Sequence, residues 1–158
     1  MMRSRLLVPV RREEHGFSLA ELLVVVAIIG LFCLIAIPAV GNFIRAGKVR
    51  AANDLLMGDL RAVRYIAITN HASGSLTIDA GAGSWSYSDI HGNTISRVVD
   101  KGVRFTSGNA TITFGADGTA TTGVATIVIQ GNVIPNVDHQ YTISISTVGR
   151  LTSAFAKV

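Results

Sequence analysis

Three patterns of hydrophobic and polar residues follow one another along this chain of 158 residues. Residues 17–40 form a block that is apolar at almost every position. Residues 41–69 place apolar side chains three or four positions apart, which is the spacing of one buried helix face. From residue 70 onward, apolar residues alternate with Ser and Thr, as they do in strands that bury one face. The pattern therefore predicts one long helix followed by a β-rich domain over residues 70–158.

The alternating part of the chain predicts an antiparallel sheet or a small two-sheet sandwich. Strands are predicted at residues 75–79, 84–87, 103–105, 110–114, 125–129 and 141–145. Turn-forming residues separate them at Asn70–Gly74, Ala80–Gly83, Asp117–Gly118, Gly131–Asn132 and Val148–Gly149. We expect this sheet to pack against the apolar stripe of the helix, which makes the fold class α+β.

The apolar block is long enough to cross a membrane once. The 21 positions from Phe17 to Ile37 make about 31 Å of helix, and a hydrocarbon core is about 30 Å thick. Four arginines precede the block, so we expect a cytoplasmic N-terminus and an exported C-terminal domain. The alternative is a cleaved secretory signal, but Ala36–Ala39 offers a weak cleavage site and the apolar stripe continues as helix beyond it. A retained anchor is favoured.

One proline interrupts the predicted helix. Pro38 removes a backbone N–H and clashes with the preceding turn, so we expect a kink or local melting near Leu34–Pro38. A helix from Phe17 to about Thr69 would be on the order of 80 Å long. A domain of about 90 residues cannot cover that length, so lipid or other subunits must bury its first half.

Charge and cysteine content exclude several classes of function. The formal net charge is +4, which does not by itself indicate a nucleic-acid-binding protein. The single Cys33 excludes an intramolecular disulfide and a cysteine-based metal cluster. The four histidines are widely separated, and the chain has no nucleophile elbow or P-loop. We therefore expect no enzyme activity, no metal and no cofactor.

The charged residues of the helix receive two different interpretations. Those after Pro38 mostly fall outside the apolar stripe, which predicts a solvated surface; they are Arg45, Lys48, Arg50, Asp54, Asp59, Arg61 and Arg64. Glu21 instead lies within the apolar block, where an ionised carboxylate costs at least a few kcal/mol. It is either a functional residue or a side chain that reaches the interface from a helix N-terminus, where the macrodipole favours negative charge.

The segment around Glu21 resembles a known signal. The sequence GFSLAELLVV at residues 16–25, followed by Ala27–Gly30 and Pro38, is similar to the class III signal of type IV pilins and type II secretion pseudopilins. The resemblance implies that a prepilin peptidase cleaves between Gly16 and Phe17, so that residues 1–16 are a leader and the new amine of Phe17 is N-methylated. It also implies that Glu21 neutralises the Phe17 amine of a neighbouring subunit. Two charges that are each costly in an apolar bundle are tolerated there as a pair.

Two motifs of the β-rich part narrow this resemblance. Ile112–Gly118 is a strand that ends in Phe before a glycine turn, and Ile143–Arg150 is a late strand before a Gly-Arg turn. Both are similar to the GspH/FimT branch of pilin-like proteins. The branch implies a minor pilin or minor pseudopilin, a structural subunit of a type II secretion pseudopilus or a type IV pilus that assembles through its N-terminal helix.

The same resemblance implies a location and a set of partners. The subunit would lie in the bacterial inner membrane as a single-pass protein, with residues 17–40 in the membrane or filament core and a periplasmic C-terminal domain. It would then move into the pseudopilus or pilus. The implied partners are the prepilin peptidase, other pilins or pseudopilins and the inner-membrane assembly platform.

Some members of this branch act as DNA receptors during natural transformation, which supplies the alternative function. They carry a Gly-Arg-x-Arg pattern, and the stretch Gly149–Thr152 lacks the second arginine. The cations that would form a phosphate-binding patch are Arg97, Lys101, Arg104, Arg150 and Lys157. Trp85 and Tyr87 are the candidates for stacking on bases. The interpretation of these cations as scattered solubilising charges is favoured, so DNA binding is the second choice.

Overall fold

The computed structural model describes residues 18–123, 125–131 and 139–157, and within the helix it describes only the backbone at residues 35–39 and 42. The predicted leader with Gly16, the mature terminus at Phe17 and Asn132 of one predicted turn lie outside these residues. The described chain forms one helix and eight strands. They are α1 (Leu19–Thr69), β1 (Gly74–Asp79), β2 (Ser84–Ser88), β3 (Thr94–Val98), β4 (Val103–Phe105), β5 (Ala110–Phe114), β6 (Ala125–Gly131), β7 (His139–Ile145) and β8 (Leu151–Lys157).

The strands form two antiparallel sheets of four strands each. Sheet A has the order β3-β2-β1-β5, and sheet B has the order β4-β6-β7-β8. Buried and less buried side chains alternate along β6 and most other strands, because successive residues point to opposite faces. The predicted α+β class, with a long N-terminal helix and antiparallel β structure, is confirmed.

All six predicted strands are present, with ends that differ from the prediction by at most two residues. The structure adds β3 and β8, which the alternation of apolar and polar residues does not predict. Both lie at a sheet edge, and each has a single side chain that is even partly buried, Ile95 in β3 and Leu151 in β8. A strand that buries so little has no reason to carry the alternating pattern.

The predicted long helix is also confirmed. Helical conformation continues through residues 34–38, so the predicted local melting does not occur; the helix continues although Pro38 lacks one backbone donor. A kink at Pro38 stays a prediction. The chain divides into two compact units between Ala39 and Val40, and the second unit holds helix residues 40–69 together with both sheets.

One hydrophobic core joins the second half of α1 to the inner faces of both sheets. The helix contributes Val49, Ala52, Leu56, Met57, Leu60, Val63 and Ala67 at intervals typical of one face. Sheet A contributes Leu76, Ile78, Trp85, Tyr87, Ile112 and Phe114, and sheet B contributes Val103, Phe105, Ile127, Ile129, Ile143 and Ile145. The rings of Trp85 and Phe105 meet edge to face with centroids 6.1 Å apart, which links the two sheets directly.

Two neighbouring leucines of α1 provide a test of this core. Leu56 is fully buried, whereas Leu55 is 50% exposed. We expect Leu56→Ala to lower the free energy of unfolding by about 3 kcal/mol, because it removes buried methyl groups and leaves a cavity. Leu55→Ala should lower it by less than about 1 kcal/mol. Urea unfolding of the full chain in detergent micelles measures both losses, and equal losses would contradict the assignment of the buried face.

Candidate functional site

Ser18 and Glu21 form the start of α1. The Ser18 Oγ accepts a hydrogen bond from the Glu21 N–H at 3.1 Å, and the Ser18 carbonyl oxygen accepts one from the Leu22 N–H at 3.2 Å. Ser18 is therefore the N-cap and Glu21 the third helical residue, as in the Ser-x-x-Glu capping pattern. The helix macrodipole favours a carboxylate at this position. Glu21 thus has a local role at the helix start, whatever role it has in assembly.

The helix around and beyond Glu21 presents an apolar surface. Every side chain from Ser18 to Leu34 is exposed, and Leu19 and Phe32 are 82% and 67% exposed. An apolar surface of this extent marks a site of interaction with protein or lipid. No basic side chain of the described residues forms an ion pair with Glu21. Within the same residues, no helix has the length and mean hydropathy that a membrane span requires.

Three predicted site residues of this segment have no described side-chain position. Gly16 and Phe17 precede the first described residue, and Pro38 lies in the part of α1 described by its backbone alone. Cleavage, methylation and the kink therefore stay predictions. In the described part of the chain, no group of three or more His, Cys, Asp or Glu side chains converges to hold a metal ion.

The second half of α1 carries a buried carboxylate, Asp59, which is only 6% exposed. Its Oδ2 accepts hydrogen bonds from the Trp85 Nε1–H and the Arg97 Nε–H, each at 2.7 Å. Its Oδ1 accepts a hydrogen bond from the Tyr87 hydroxyl at 3.1 Å. The donors belong to β2 and β3, so this carboxylate ties the helix to sheet A.

Asp59 corrects the sequence-based prediction of a solvated surface for the helix charges. It lies three residues after Leu56 and four residues before Val63, both of which are buried. That spacing places it on the buried face, and this was the signal available in the sequence. The apolar stripe was assigned from apolar residues alone, so a carboxylate within the stripe was assigned to the wrong face.

The surroundings of Asp59 balance its charge. The hydrogen bond to Asp59, together with the negative charge of that carboxylate, raises the pKa of Arg97 above its ordinary value. Burial raises the pKa of Tyr87, and the hydrogen bond to Asp59 raises it further. At neutral pH Arg97 is therefore a guanidinium and Tyr87 a neutral donor, as Trp85 is. Trp85 and Tyr87 are buried in this arrangement, so in the folded protein their rings are not free to stack on nucleic-acid bases.

The two turn motifs of the β-rich part meet at Arg64 of α1. The Arg64 Nε–H donates a hydrogen bond to the carbonyl oxygen of Gly118 at 2.9 Å. Gly149 packs so closely that a Cβ at this position would overlap the same carbonyl oxygen. Gly118 and Gly149 have φ values of 77° and 73°, in the left-handed region that favours glycine. Both motifs thus have a structural role, and Arg64 is half-buried instead of fully solvated.

The basic residues of the predicted DNA contact do not converge as a group. Arg104 lies on β4 and Arg150 precedes β8, at opposite edges of sheet B. The strand register sets Arg104 level with Ala156, six residues from Arg150. Three strand spacings across and six residues along put the two arginines about 25 Å apart. Arg97 is paired with Asp59, and Lys101 is exposed in the β3–β4 connection. DNA contact by these residues stays a prediction.

Comparisons with known proteins relate both parts of the chain to other sequences. Residues 11–37 match the family model of the prokaryotic N-terminal methylation motif. The type II secretion system protein H of Xanthomonas campestris pv. campestris is 30% identical over 129 residues, which cover 77% of this chain and 75% of that protein. No solved structure matches the chain. The similarity to the Xanthomonas protein therefore extends well beyond the signal segment and into the domain that holds Asp59.

The balance of charge around Asp59 predicts an unusual order of stabilities. Arg97→Met should lower the free energy of unfolding by about 2 kcal/mol, because it leaves a buried carboxylate with neutral donors only. The loss should be smaller than for a fully buried pair, since the Arg97 side chain is 42% exposed. Adding Asp59→Asn to Arg97→Met should restore part of this stability, because the amide keeps an acceptor in place without the charge.

Urea unfolding of the single and double variants measures this order. Asp54→Asn is the matched control, because Asp54 is an exposed carboxylate on the same helix. Its ion pair with Arg50 is long, at 3.8 Å, and exposed to solvent. It should change the free energy of unfolding by less than about 0.5 kcal/mol. A double variant that is no more stable than Arg97→Met would show that an unpaired charge is not what destabilises the single variant.

Proposed function

This chain belongs to the GspH-like family of type II secretion pseudopilins, and on that premise we propose that it is a minor subunit of a pseudopilus, assembled through its N-terminal helix. The observation that carries the proposal is the first half of α1. Its described side chains from Ser18 to Leu34 are exposed, most of them are apolar, and the segment contains a single carboxylate. A subunit that remained alone in water would gain nothing from such a surface.

Two different environments would cover this helix in succession. Before assembly, the lipid of the inner membrane would surround the apolar side chains as a retained anchor. During assembly, the corresponding helices of other pseudopilins would replace the lipid. Transfer from lipid to a helix bundle changes little in hydrophobic free energy, so packing and polar contacts decide whether the transfer is favourable. The proposed partners are other pseudopilins and the secretion machinery that assembles them.

Glu21 would supply the polar contact. The capping bond from Ser18 holds the backbone of Glu21 in the first helical turn. Its carboxylate finds no cation among the described residues, so a counter-charge has to come from elsewhere. We propose that the counter-charge is the Phe17 amine of a neighbouring subunit, freed when the leader is removed after Gly16. A charge pair in an apolar bundle is tolerated, whereas either charge alone is costly.

The two-sheet domain would provide recognition of partners outside the helix bundle. Its core and the Asp59 contacts fix the sheets onto residues 49–67 of the helix. The edges and outer faces of the sheets are then presented in a defined orientation to that part of α1. This arrangement is typical of a structural subunit, in which polar and apolar contacts hold the fold and bind partners.

Removal of the leader is the first step that can be measured. We expect the protein purified from membranes of its native host to begin at Phe17 and to carry one added methyl group on that amine. Intact-mass spectrometry with fragmentation of the N-terminal segment measures both features. A host strain without prepilin peptidase is the control and should yield the unprocessed chain. A native protein that begins at Met1 would remove the proposed pairing with Glu21.

The role of Glu21 in assembly is tested by two variants of the same helical turn. Glu21→Ala should insert into membranes as the wild type does, but its incorporation into filaments should fall at least about tenfold, because the Phe17 amine of the neighbour loses its partner. Ser18→Ala removes the cap at a cost of about 1 kcal/mol and keeps the carboxylate, so it should retain most incorporation. Membrane fractionation and quantification of subunits in sheared filaments measure both steps.

Two outcomes would contradict this role. Normal incorporation of Glu21→Ala would show that no charge pair is needed. Equal loss in Ser18→Ala and Glu21→Ala would show that Glu21 acts only at the start of the helix, through the capping pattern.

A further inference from the structure

The four edge strands of the two sheets differ in how well they are protected against pairing with a strand of another molecule. β4 has only three residues, and β3 carries the charged Arg97 in its second half. β5 is partly covered, because Ala120 bridges to Phe114 and the Thr121 N–H donates to the Thr113 carbonyl oxygen at 2.9 Å. β8 is different: it has seven residues, contains no proline or glycine, and carries no charge before its last residue. It lacks the features by which edge strands commonly avoid unwanted partners.

Within the part of the chain that the structure describes, the backbone of β8 presents unpaired hydrogen-bonding groups along this edge. The Ser146 N–H donates to the Arg150 carbonyl oxygen at 3.0 Å, which makes these two residues a hydrogen-bonded pair. In an antiparallel ladder such pairs recur every second residue, so Thr152 and the alanines at 154 and 156 bond to β7. The N–H and C=O groups of Leu151, Ser153 and Phe155 then point toward the free edge. Within the described residues, β8 pairs with β7 alone.

An aromatic groove lies beside this edge, between β7–β8 and the helix. It has a volume of about 270 Å³ and is lined by Phe43, Ala46, Gly47, Arg50, His139, Tyr141 and Phe155. The ring centroid of Phe155 lies 5.2 Å from that of Tyr141 and 5.3 Å from that of His139. A strand added to β8 would place the side chain opposite Phe155 in the same row as these rings, where aromatic and large apolar side chains pack well.

The charges around the edge indicate what kind of strand fits. Arg150 precedes β8 and Lys157 ends it, whereas no described residue of the strand or of the groove lining is acidic. Arg50 also lines the groove, but it already pairs with Asp54 at 3.8 Å. In an antiparallel pair of two β8 strands, Arg150 of one copy would lie opposite Ala156 and next to Lys157 of the other. These two cations point to opposite faces of the sheet, but no acidic residue of the described strand meets either of them, so a second copy is a poorer electrostatic match than a segment with acidic ends.

We propose that the free edge of β8 is a docking site for an extended segment of a different protein chain, which adds to sheet B as a fifth strand. The segment carries a large apolar or aromatic side chain opposite Phe155 and acidic residues near its ends. Main-chain hydrogen bonds to Leu151, Ser153 and Phe155 provide affinity, and the groove provides specificity. This site goes beyond the proposed assembly through the N-terminal helix and does not depend on it.

A synthetic peptide tests the site on the full chain in detergent micelles. The probe is a fluorescein-labelled peptide of seven residues, the length of β8, with aspartate at both ends and threonine elsewhere, except for phenylalanine at the third position, which lies opposite Phe155 when the peptide pairs antiparallel along residues 151–157. We expect saturable binding by fluorescence anisotropy. Bound peptide should slow amide hydrogen exchange at residues 151, 153 and 155 at least about tenfold and leave residues 152 and 154 unchanged. A peptide with N-methylated alternate amides, which cannot complete the ladder, should not bind.

Two variants at one position separate the backbone from the side chain. Phe155→Pro removes an edge-facing N–H without removing a bond to β7, and Phe155→Ala removes only the ring. Each should weaken peptide binding by about tenfold or more. Val98→Ala, which also truncates an exposed apolar residue on an edge strand, is the matched control and should bind as the wild type does. Thermal unfolding of each variant shows whether the fold is retained. If Phe155→Pro does not fold, the binding measured for Phe155→Ala tests the proposal.

Several results would overturn the proposal. Absence of saturable binding, equal binding of the N-methylated peptide, or wild-type binding by Phe155→Ala would each exclude strand addition at this groove. Self-association of the chain that disappears in Phe155→Pro would identify a second copy as the occupant, and the proposed partner would then be wrong.

Discussion

The helix α1 has two different environments along its length, and this constraint shapes the rest of the structure. From Val49 to Ala67 it buries one stripe in a core shared with two sheets. From Ser18 to Leu34 its side chains are exposed and mostly apolar. Burial of apolar surface is the main favourable term in folding and association, so a helix with this surface is stable only where lipid or protein covers it. The two-sheet domain covers one part of the helix, and in the proposed assembly lipid or other subunits cover the other part.

Hydrophobic burial alone does not determine how the helix is turned against the sheets, because it is non-directional. The contacts of Asp59 are directional. Three donors from β2 and β3 converge on one carboxylate, and a helix rotated by one residue would leave a charge buried without partners. Five residues further along the helix, the bond from Arg64 to Gly118 and the close packing of Gly149 hold the β7–β8 turn near the helix. These polar contacts place β8 and the aromatic groove relative to the buried part of α1.

Much of this fold could be predicted from periodicity, and the failures have physical causes. The change from helical spacing to alternation identified α1 and the six strands that bury one face. β3 and β8 bury almost nothing, so hydrophobicity carries no signal for them. Asp59 was assigned to solvent because a carboxylate within an apolar stripe depends on donors that come from 26 to 38 residues further along the chain. The basic residues looked like one group in sequence, yet pairing order puts Arg104 and Arg150 at opposite edges of sheet B.

The two exposed surfaces of the protein differ in the kind of selectivity that they can provide. The apolar helix can pack against many similar helices, since dispersion and burial do not require a particular neighbour. The edge of β8 is more demanding, because its donors and acceptors fix the register of a partner and a one-residue slip would turn every side chain to the other face. A subunit that combines both surfaces can join a filament of related helices through the first and recognise one particular neighbour through the second. Under the two proposals, the groove at Phe155 selects that neighbour, and Glu21 controls how readily the subunit enters the filament.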